Sequence, residues 1–171
     1  KIVFGGGCFW CTEAMFKELN GVATVKSGYS GGHKEHPTYQ DVCYTDSGHA
    51  EVIEVTYNPE VISYKDLVMI HLTTHDPTTV DQQGGDRGPQ YRSVIFYQSE
   101  EEHTIAKEVI NEVQSAYSNP IVTELASIST FYEAEEHHQD YYNRNSLAGY
   151  CQAVIDPKLI KFRRLHSKLL K

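Results

Sequence analysis

The start of the chain constrains it most: Ile2-Val3-Phe4, then Gly5-Gly6-Gly7, then Cys8-Phe9-Trp10-Cys11. The apolar triplet reads as a short strand. Phe9, Met15, Phe16 and Leu19 then follow a helical pattern that Asn20-Gly21 stops. The glycines therefore occupy a strand-to-helix turn, where they permit close backbone approach and unusual dihedrals. Cys8 falls where unpaired N–H groups and the positive dipole end favour a thiolate, which predicts a lowered pKa beside an aromatic wall. As mere buried small residues, Cys8 and Cys11 would need neither the glycines nor the helix start.

Three chemistries compete for this pair. Zinc wants a second pair of ligands at matched spacing. There is no second C-x-x-C, so His33/His36 or His71/His75 would have to serve, and the expectation is no metal. A thioredoxin-like dithiol also opens a helix after a strand and stays open as an alternative. A nucleophilic cysteine needs an acid and hydrogen-bond donors from elsewhere in the chain.

The 171 residues predict one domain, 1–171, either processed or cut from a larger protein. A hydrophobic fraction of 40% with 22% charged residues is ordinary globular usage. The net charge of −8 argues against nucleic-acid partners, and the lack of a long apolar run argues against a membrane span. Four cysteines are too few for a disulfide scaffold and suit a reducing compartment, so the expected location is cytoplasmic.

Along the chain, strands are predicted over 22–29, 51–57, 93–97 and 121–126. Helices are predicted after the Ser63–Asp66 capping box, over 100–118 and over 133–142. A terminal helix with Leu159, Phe162, Leu165 and Leu169 on its stripe follows an N-cap at Asp156-Pro157. Two aperiodic stretches, 31–49 and 76–92, read as long loops, where chemistry is to be sought. The element order is that of a mixed α and β domain.

Those loops carry Pro37-Thr38-Tyr39, Gly48-His49-Ala50-Glu51 and Asp86-Arg87-Gly88-Pro89-Gln90-Tyr91-Arg92-Ser93. Together with Gly-Cys-Phe-Trp at 7–10, these segments resemble the A-type methionine sulfoxide reductases, the peptide-methionine (S)-S-oxide reductases. The likeness runs from about Val3 to Lys161. It implies an α+β single domain, a mixed β-sheet with a split βαβ (ferredoxin-like) core and flanking helices. It also implies a thiol-dependent oxidoreductase acting on methionine S-sulfoxide, free or protein-bound. By the resemblance, Cys8 is the nucleophile, and Phe9 and Trp10 cup the S-methyl group. Glu51 protonates the sulfoxide oxygen, Tyr39 and Tyr91 hydrogen-bond it, and Asp86 holds a water or the substrate backbone.

The chemistry accounts for these residue types. Sulfoxide oxygen must be protonated as thiolate attacks sulfur, and a Glu near an apolar wall can have its pKa raised for that task. Attack leaves a sulfenic acid on Cys8, which a second thiol condenses to an intramolecular disulfide. The implied reductant is thioredoxin or dithiothreitol, with no cofactor. Many members have Gly in place of Cys11 and resolve through a tail cysteine, whose position Cys151 matches. Gln152–Lys158 reads as ordered rather than flexible, and Cys11 lies one helical turn from Cys8, so Cys11 and Cys151 both stand as resolving thiols. A monomer is expected, and fusion to a B-type reductase domain stays open.

Taken singly, each assignment has a plainer reading. Glu51 could be a solvated edge residue, Tyr39 a loop anchor and Asp86 a turn former. His137-His138 reads as solvated, Tyr141, Tyr142 and Tyr150 as packing or rim, and Cys43 as a buried small residue. Rival functions are a general dithiol–disulfide oxidoreductase, which leaves Glu51, Tyr39 and Tyr91 without a task, and a zinc-stapled binding module.

Overall fold

The computed structural model describes all 171 residues. Strand β1 (Ile2–Gly5) leads through the glycine turn into α1 (Phe9–Phe16), and β2 (Val22–Ser30) follows. A short helix, α2 (Tyr39–Tyr44), interrupts the first long loop before β3 (Ala50–Tyr57) and α3 (Tyr64–Thr74). The second loop folds into two-residue strands β4 (Gln82–Gln83) and β5 (Asp86–Arg87) and a 3-10 turn, Pro89–Tyr91. Strand β6 (Val94–Tyr97) and α4 (Glu100–Val113) come next. Strands β7 (Glu124–Ser127) and β8 (Tyr132–Glu133) and helices α5 (Tyr141–Arg144) and α6 (Asp156–Leu165) complete the order. No helix is long and apolar enough to cross a membrane.

The main sheet has the order β7-β6-β1-β3-β2-β8. Strand β3 pairs antiparallel with both β1 and β2, so those two run parallel with β3 between them. Likewise β6 is antiparallel to β1 and thus parallel to β3. The units β1-α1-β2 and β3-α3-β6 are each split by a strand of the other, which is the expected ferredoxin-like core. Strand β7 adds to β6 in parallel and makes the sheet mixed.

Side-chain alternation divides the core. Ile2, Phe4, Ile53 and Val55 face the helix layer and pack with Phe9 and Phe16 of α1, Leu67 and Ile70 of α3 and Phe162 of α6. Val3, Ala50, Val52, Val94 and Phe96 form a smaller cluster on the opposite face. Glu51 shares the parity of Ile53 and Val55 on an interior strand, so it points into the helix layer. The edge reading of Glu51 is therefore wrong.

Capping boxes start both α2 (Thr38 with Asp41) and α3 (Ser63 with Asp66). Both carry the same four-residue signature, and the first lies within the aperiodic stretch 31–49, which the sequence predicts as loop. No helix spans 133–142. Buried Glu13 accepts the Asp140 N–H at 3.0 Å from each oxygen, and the Gln139 amide pairs with the Ser27 backbone on β2. These tertiary bonds hold Asp140 at φ 54° and override local helix propensity. Asp156 is not an N-cap either: a π-helical turn, Cys151–Ile155, runs directly into α6. Of the terminal stripe, Leu159 and Phe162 are buried, whereas Leu165 is exposed.

Phe16 joins these layers, with its ring centroid 4.8 Å from Phe4 and 6.4 Å from Phe162. Phe16→Ala should lower the unfolding free energy by about 3–5 kcal/mol, read from urea denaturation. A loss below about 1 kcal/mol would mean that the site collapses easily and is not a packing centre.

Candidate active site

Cys8 is the N-cap residue of α1 (φ −65°, ψ 129°), and its carbonyl accepts the Cys11 N–H at 3.1 Å. Glycines bring this turn close to its neighbours. At Gly5 a Cβ would lie 2.5 Å from the Glu51 carbonyl oxygen, so β1 can approach β3 here only without a side chain. Gly7 has φ +85°, and a Cβ there would meet Gln83 Cγ at 2.7 Å. Its N–H donates to the Tyr91 carbonyl at 3.2 Å, tying the thiol turn to the turn that carries Tyr91.

Glu51 is 1% exposed. The Phe9 N–H donates to its Oε1 at 3.1 Å, joining the helix start to the central strand. Burial pushes the Glu51 carboxyl up to about 8, against the Phe9 N–H, which favours the carboxylate. Glu51 is thus mostly a protonated acid at neutral pH. Cys43, half-buried rather than fully enclosed, donates its thiol proton to Glu51 Oε2 at 3.9 Å. The Tyr39 hydroxyl bonds to Cys43 in turn. Burial and then the Glu51 charge push the phenols of Tyr39 and Tyr91 up, so both remain proton donors.

The aromatic wall is fixed from behind. The Trp10 indole N–H donates to His138 Nδ1 at 3.1 Å, and Tyr141 stacks on the indole at 3.7 Å and 7°. Phe9 is fully buried against Tyr29, Tyr39 and His138, so it forms the floor rather than the rim. His138 is only 4% exposed, which corrects its solvated reading. Residues 136–138 form a 3-10 turn, so the assumption of helical neighbours pointing apart did not apply. Glu135 accepts the Tyr39 N–H at 3.0 Å and the Tyr29 hydroxyl at 2.9 Å, which seats the start of α2.

Cys8 and Cys11, one helical turn apart, act on each other's ionisation. The expected lowering of the Cys8 pKa is not found. Burial, the Cys11 hydrogen bond and the Glu51 charge raise it well above the usual thiol range, outweighing the Trp10 N–H. Cys11 is instead lowered to about 7 by its hydrogen bond with Cys8, assisted by Lys158 and Tyr150 against burial. Lys158 Nζ donates to Cys11 Sγ at 3.7 Å. The Tyr150 hydroxyl lies 3.8 Å from that sulfur and donates to Asp86 Oδ2 at 3.2 Å, so Tyr150 and Asp86 belong to the site. Cys151 is fully buried in the π turn, and all four cysteines are free.

Cys8, Phe9, Trp10, Cys11, Tyr39, Glu51, Asp86 and Tyr91 lie in or beside this cluster, and Cys151 acts on Cys11 from the π turn. His138, Cys43 and Tyr150, expected as solvated, buried or packing residues, also belong to the cluster, and so does Lys158, which no pattern in the sequence marks. Lys158 is 147 residues from Cys11, and no local pattern announces that contact. A cavity of about 540 Å³ lies elsewhere, between the end of α3, residues 116–119 and α6; Lys158 reaches it from the thiol side. No group of three or more His, Cys, Asp or Glu side chains is arranged to hold a metal ion.

The Glu51 environment has a consequence for stability. Its folded pKa of about 8 lies above the ordinary 4.5, so the native state binds more protons than the unfolded chain between those values. The Glu51 contribution is complete below pH 4.5 and is lost as pH rises toward 8. Glu51→Gln should therefore be more stable than wild type at pH 8 relative to pH 5, by about a few kcal/mol. Parallel stability–pH curves from urea denaturation would contradict the buried protonated acid.

Comparison with known proteins agrees with this geometry. The family described as peptide methionine sulfoxide reductase matches residues 1–169. The peptide methionine sulfoxide reductase MsrA of Saccharolobus solfataricus is 49% identical over 167 residues, covering 98% of this chain and 94% of that protein. The crystal structure of Mxr1 from Saccharomyces cerevisiae in reduced form superposes with a TM-score of 0.83 at 38% identity, covering 88% of this chain and 87% of that one. The same yeast protein in complex with Trx2 gives a TM-score of 0.59 at 33% identity over 82% of each chain. A thiol at a helix start, a buried acid bonded to that helix and a match over nearly the whole length lead to one conclusion: the chain belongs to the peptide methionine sulfoxide reductase family.

Proposed function

We propose that Cys8 is the nucleophile of a peptide-methionine (S)-S-oxide reductase and that Glu51 is its acid. Family membership supplies the activity, thiol-dependent reduction of methionine sulfoxide. The observation that carries the assignment is the Phe9 N–H···Glu51 bond, which holds a protonated carboxyl against the first turn that bears Cys8. Glu51 protonates the sulfoxide oxygen as Cys8 Sγ attacks sulfur, methionine leaves, and Cys8 becomes a sulfenic acid. Tyr39 and Tyr91 hydrogen-bond the oxygen without competing for its proton. Trp10, braced by Tyr141 and His138, and Phe9 below it receive the S-methyl group. Asp86, paired with Tyr150, orients a water or the substrate backbone.

Cys11 captures the sulfenic acid first, because it already meets Cys8 and no chain has to be reordered. Cys151, packed under α1, passes the disulfide outward if the segment 146–149 swings. A thioredoxin-like dithiol then restores the enzyme. The solved complex of the yeast relative with Trx2 supports a protein reductant. Reductase activity belongs to residues 1–171, and four free thiols suit a cytoplasmic setting.

Four outcomes are expected. Cys8→Ser should abolish reduction of methionine sulfoxide with dithiothreitol, and Glu51→Gln should slow the chemical step by about 10²–10⁴-fold while leaving Cys8 reactive toward a disulfide probe. If sulfoxide reduction and probe reactivity fell together, Glu51 would be supporting the thiol or the fold instead. The S epimer at sulfur should react and the R epimer should not. Exchanging methyl and oxygen buries the oxygen against Trp10 and Phe9 with no partner, at a cost of several kcal/mol. Comparable rates on separated epimers would refute the pocket. After one equivalent of substrate, peptide mapping should find Cys8–Cys11 first; a wild-type rate of disulfide formation in Cys11→Ser would give the first capture to Cys151.

A further inference from the structure

We propose that Lys158 holds the negative charge of the Cys8/Cys11 pair on Cys11, making Cys11 the group that takes the Cys8 proton as Cys8 attacks the sulfoxide. The inference rests on the reading of Cys8 as nucleophile and gives Cys11 a task before it resolves the sulfenic acid.

The asymmetry of the pair is geometric. Cys11 Sγ receives the Lys158 ammonium at 3.7 Å and has the Tyr150 hydroxyl at 3.8 Å. Cys8 Sγ shares the Tyr150 hydroxyl and has the Trp10 N–H, but no cation acts on it, and the Glu51 carboxyl lies nearby. The groups acting on Cys11 come from every element around it: Cys8 on α1, Lys158 on α6, Tyr150 before the π turn and Cys151 within it, Asp86 on β5 and Glu51 on β3. Lys158 is the cation that contacts the sulfur, and Asp86 opposes it. Lys158 is half-buried and lines the cavity of about 540 Å³, so its side chain runs between that space and the thiol pair. The Tyr150 hydroxyl lies between Cys11 and Asp86 and also reaches Cys8, so its one proton can turn to the Cys11 sulfur when that carries charge.

The step balances. The reduced enzyme starts as Cys8–SH, Cys11–S⁻ and protonated Glu51. As the sulfoxide S–O bond breaks, the Cys8 proton passes to Cys11 and the Glu51 proton goes to the oxygen. The products are methionine, Cys8–SOH, Cys11–SH and the Glu51 carboxylate. Methionine sulfur gains two electrons and Cys8 sulfur loses two. Cys11 Sγ then attacks Cys8 Sγ, the S–O bond breaks, and the Cys11 proton leaves with the hydroxide as water. The Cys8–Cys11 disulfide remains. One negative charge persists throughout and moves from Cys11 to Glu51, so no net charge enters or leaves the buried site.

Lys158→Met and Lys158→Arg in the full chain test this, by ultraviolet thiolate absorbance against pH and by methionine release in a single turnover without external reductant. Wild type should titrate near pH 7 in both, and Cys11→Ser should lose that titration. Lys158→Met should move both midpoints up by about one pKa unit and lower the rate at pH 7 by roughly fivefold; Lys158→Arg should restore them. A purely structural role would reduce amplitude at every pH and leave the midpoint in place. An unmoved midpoint in Lys158→Met, or a retained one in Cys11→Ser, overturns the proposal. Should Lys158→Met fail to fold, Lys158→Gln carries the same expectation. Turnover by Cys8→Ser would sink the underlying assignment of the nucleophile, independently of any Lys158 variant.

Discussion

The site depends on one hydrogen bond, from the Phe9 N–H at the start of α1 to the Glu51 carboxyl on β3. It satisfies one of the donors that a helix leaves free in its first turn, and it does so with a side chain from the middle of the sheet. Glu51 reaches that position because β3 is interior and because its parity matches Ile53 and Val55. Gly5 makes the approach possible by leaving room beside the Glu51 carbonyl. The bond favours the carboxylate, but burial opposes it more strongly, and the result is an acid with a pKa of about 8. The thiol turn before α1 and the acid on β3 are thereby tied to each other through the sheet and the helix.

The same burial that protonates Glu51 prevents Cys8 from being a thiolate in the free site. A helix start lowers a thiol pKa only when its dipole is not outweighed, and here desolvation and the neighbouring acid outweigh it. Of the two thiols it is Cys11, beside Lys158, whose pKa is lowered. In the proposed ionisation two protons and one negative charge are shared among Cys8, Cys11 and Glu51, and reduction of a sulfoxide to a sulfide and water consumes two protons.

Behind the reacting groups, buried polar anchors set the geometry. Glu13 and Gln139 fasten residues 139–140 to α1 and β2, which sets Tyr141 on Trp10 and His138 on the indole N–H. The Arg92 guanidinium donates to the Gly48 carbonyl at 3.1 Å and bridges to Glu124 at 3.1 Å, bracing the approach to β3. His49 accepts the Gly32 N–H at 3.0 Å and bonds the Lys34 carbonyl, so it staples the loop before α2.

Much of this was legible in the residues themselves. The strand–glycine–helix start, the period-two alternation over 51–57 and the capping box at Ser63–Asp66 are local signals, because helix and strand periods and caps act over a few residues. Cys8, Tyr39, Glu51, Asp86 and Tyr91 stood out through jointly spaced motifs. The tertiary structure alone decided the rest. Segment 133–142 has helical composition, yet Glu13 and Gln139, acting from outside or across it, hold it in turns. The ionisation of Cys8, Cys11 and Glu51 depends on what surrounds each atom within a few ångströms, and sequence does not encode that surrounding. Lys158 reaches Cys11 only because α6 packs on α1, and a pairing across 147 positions exists only once the core has closed.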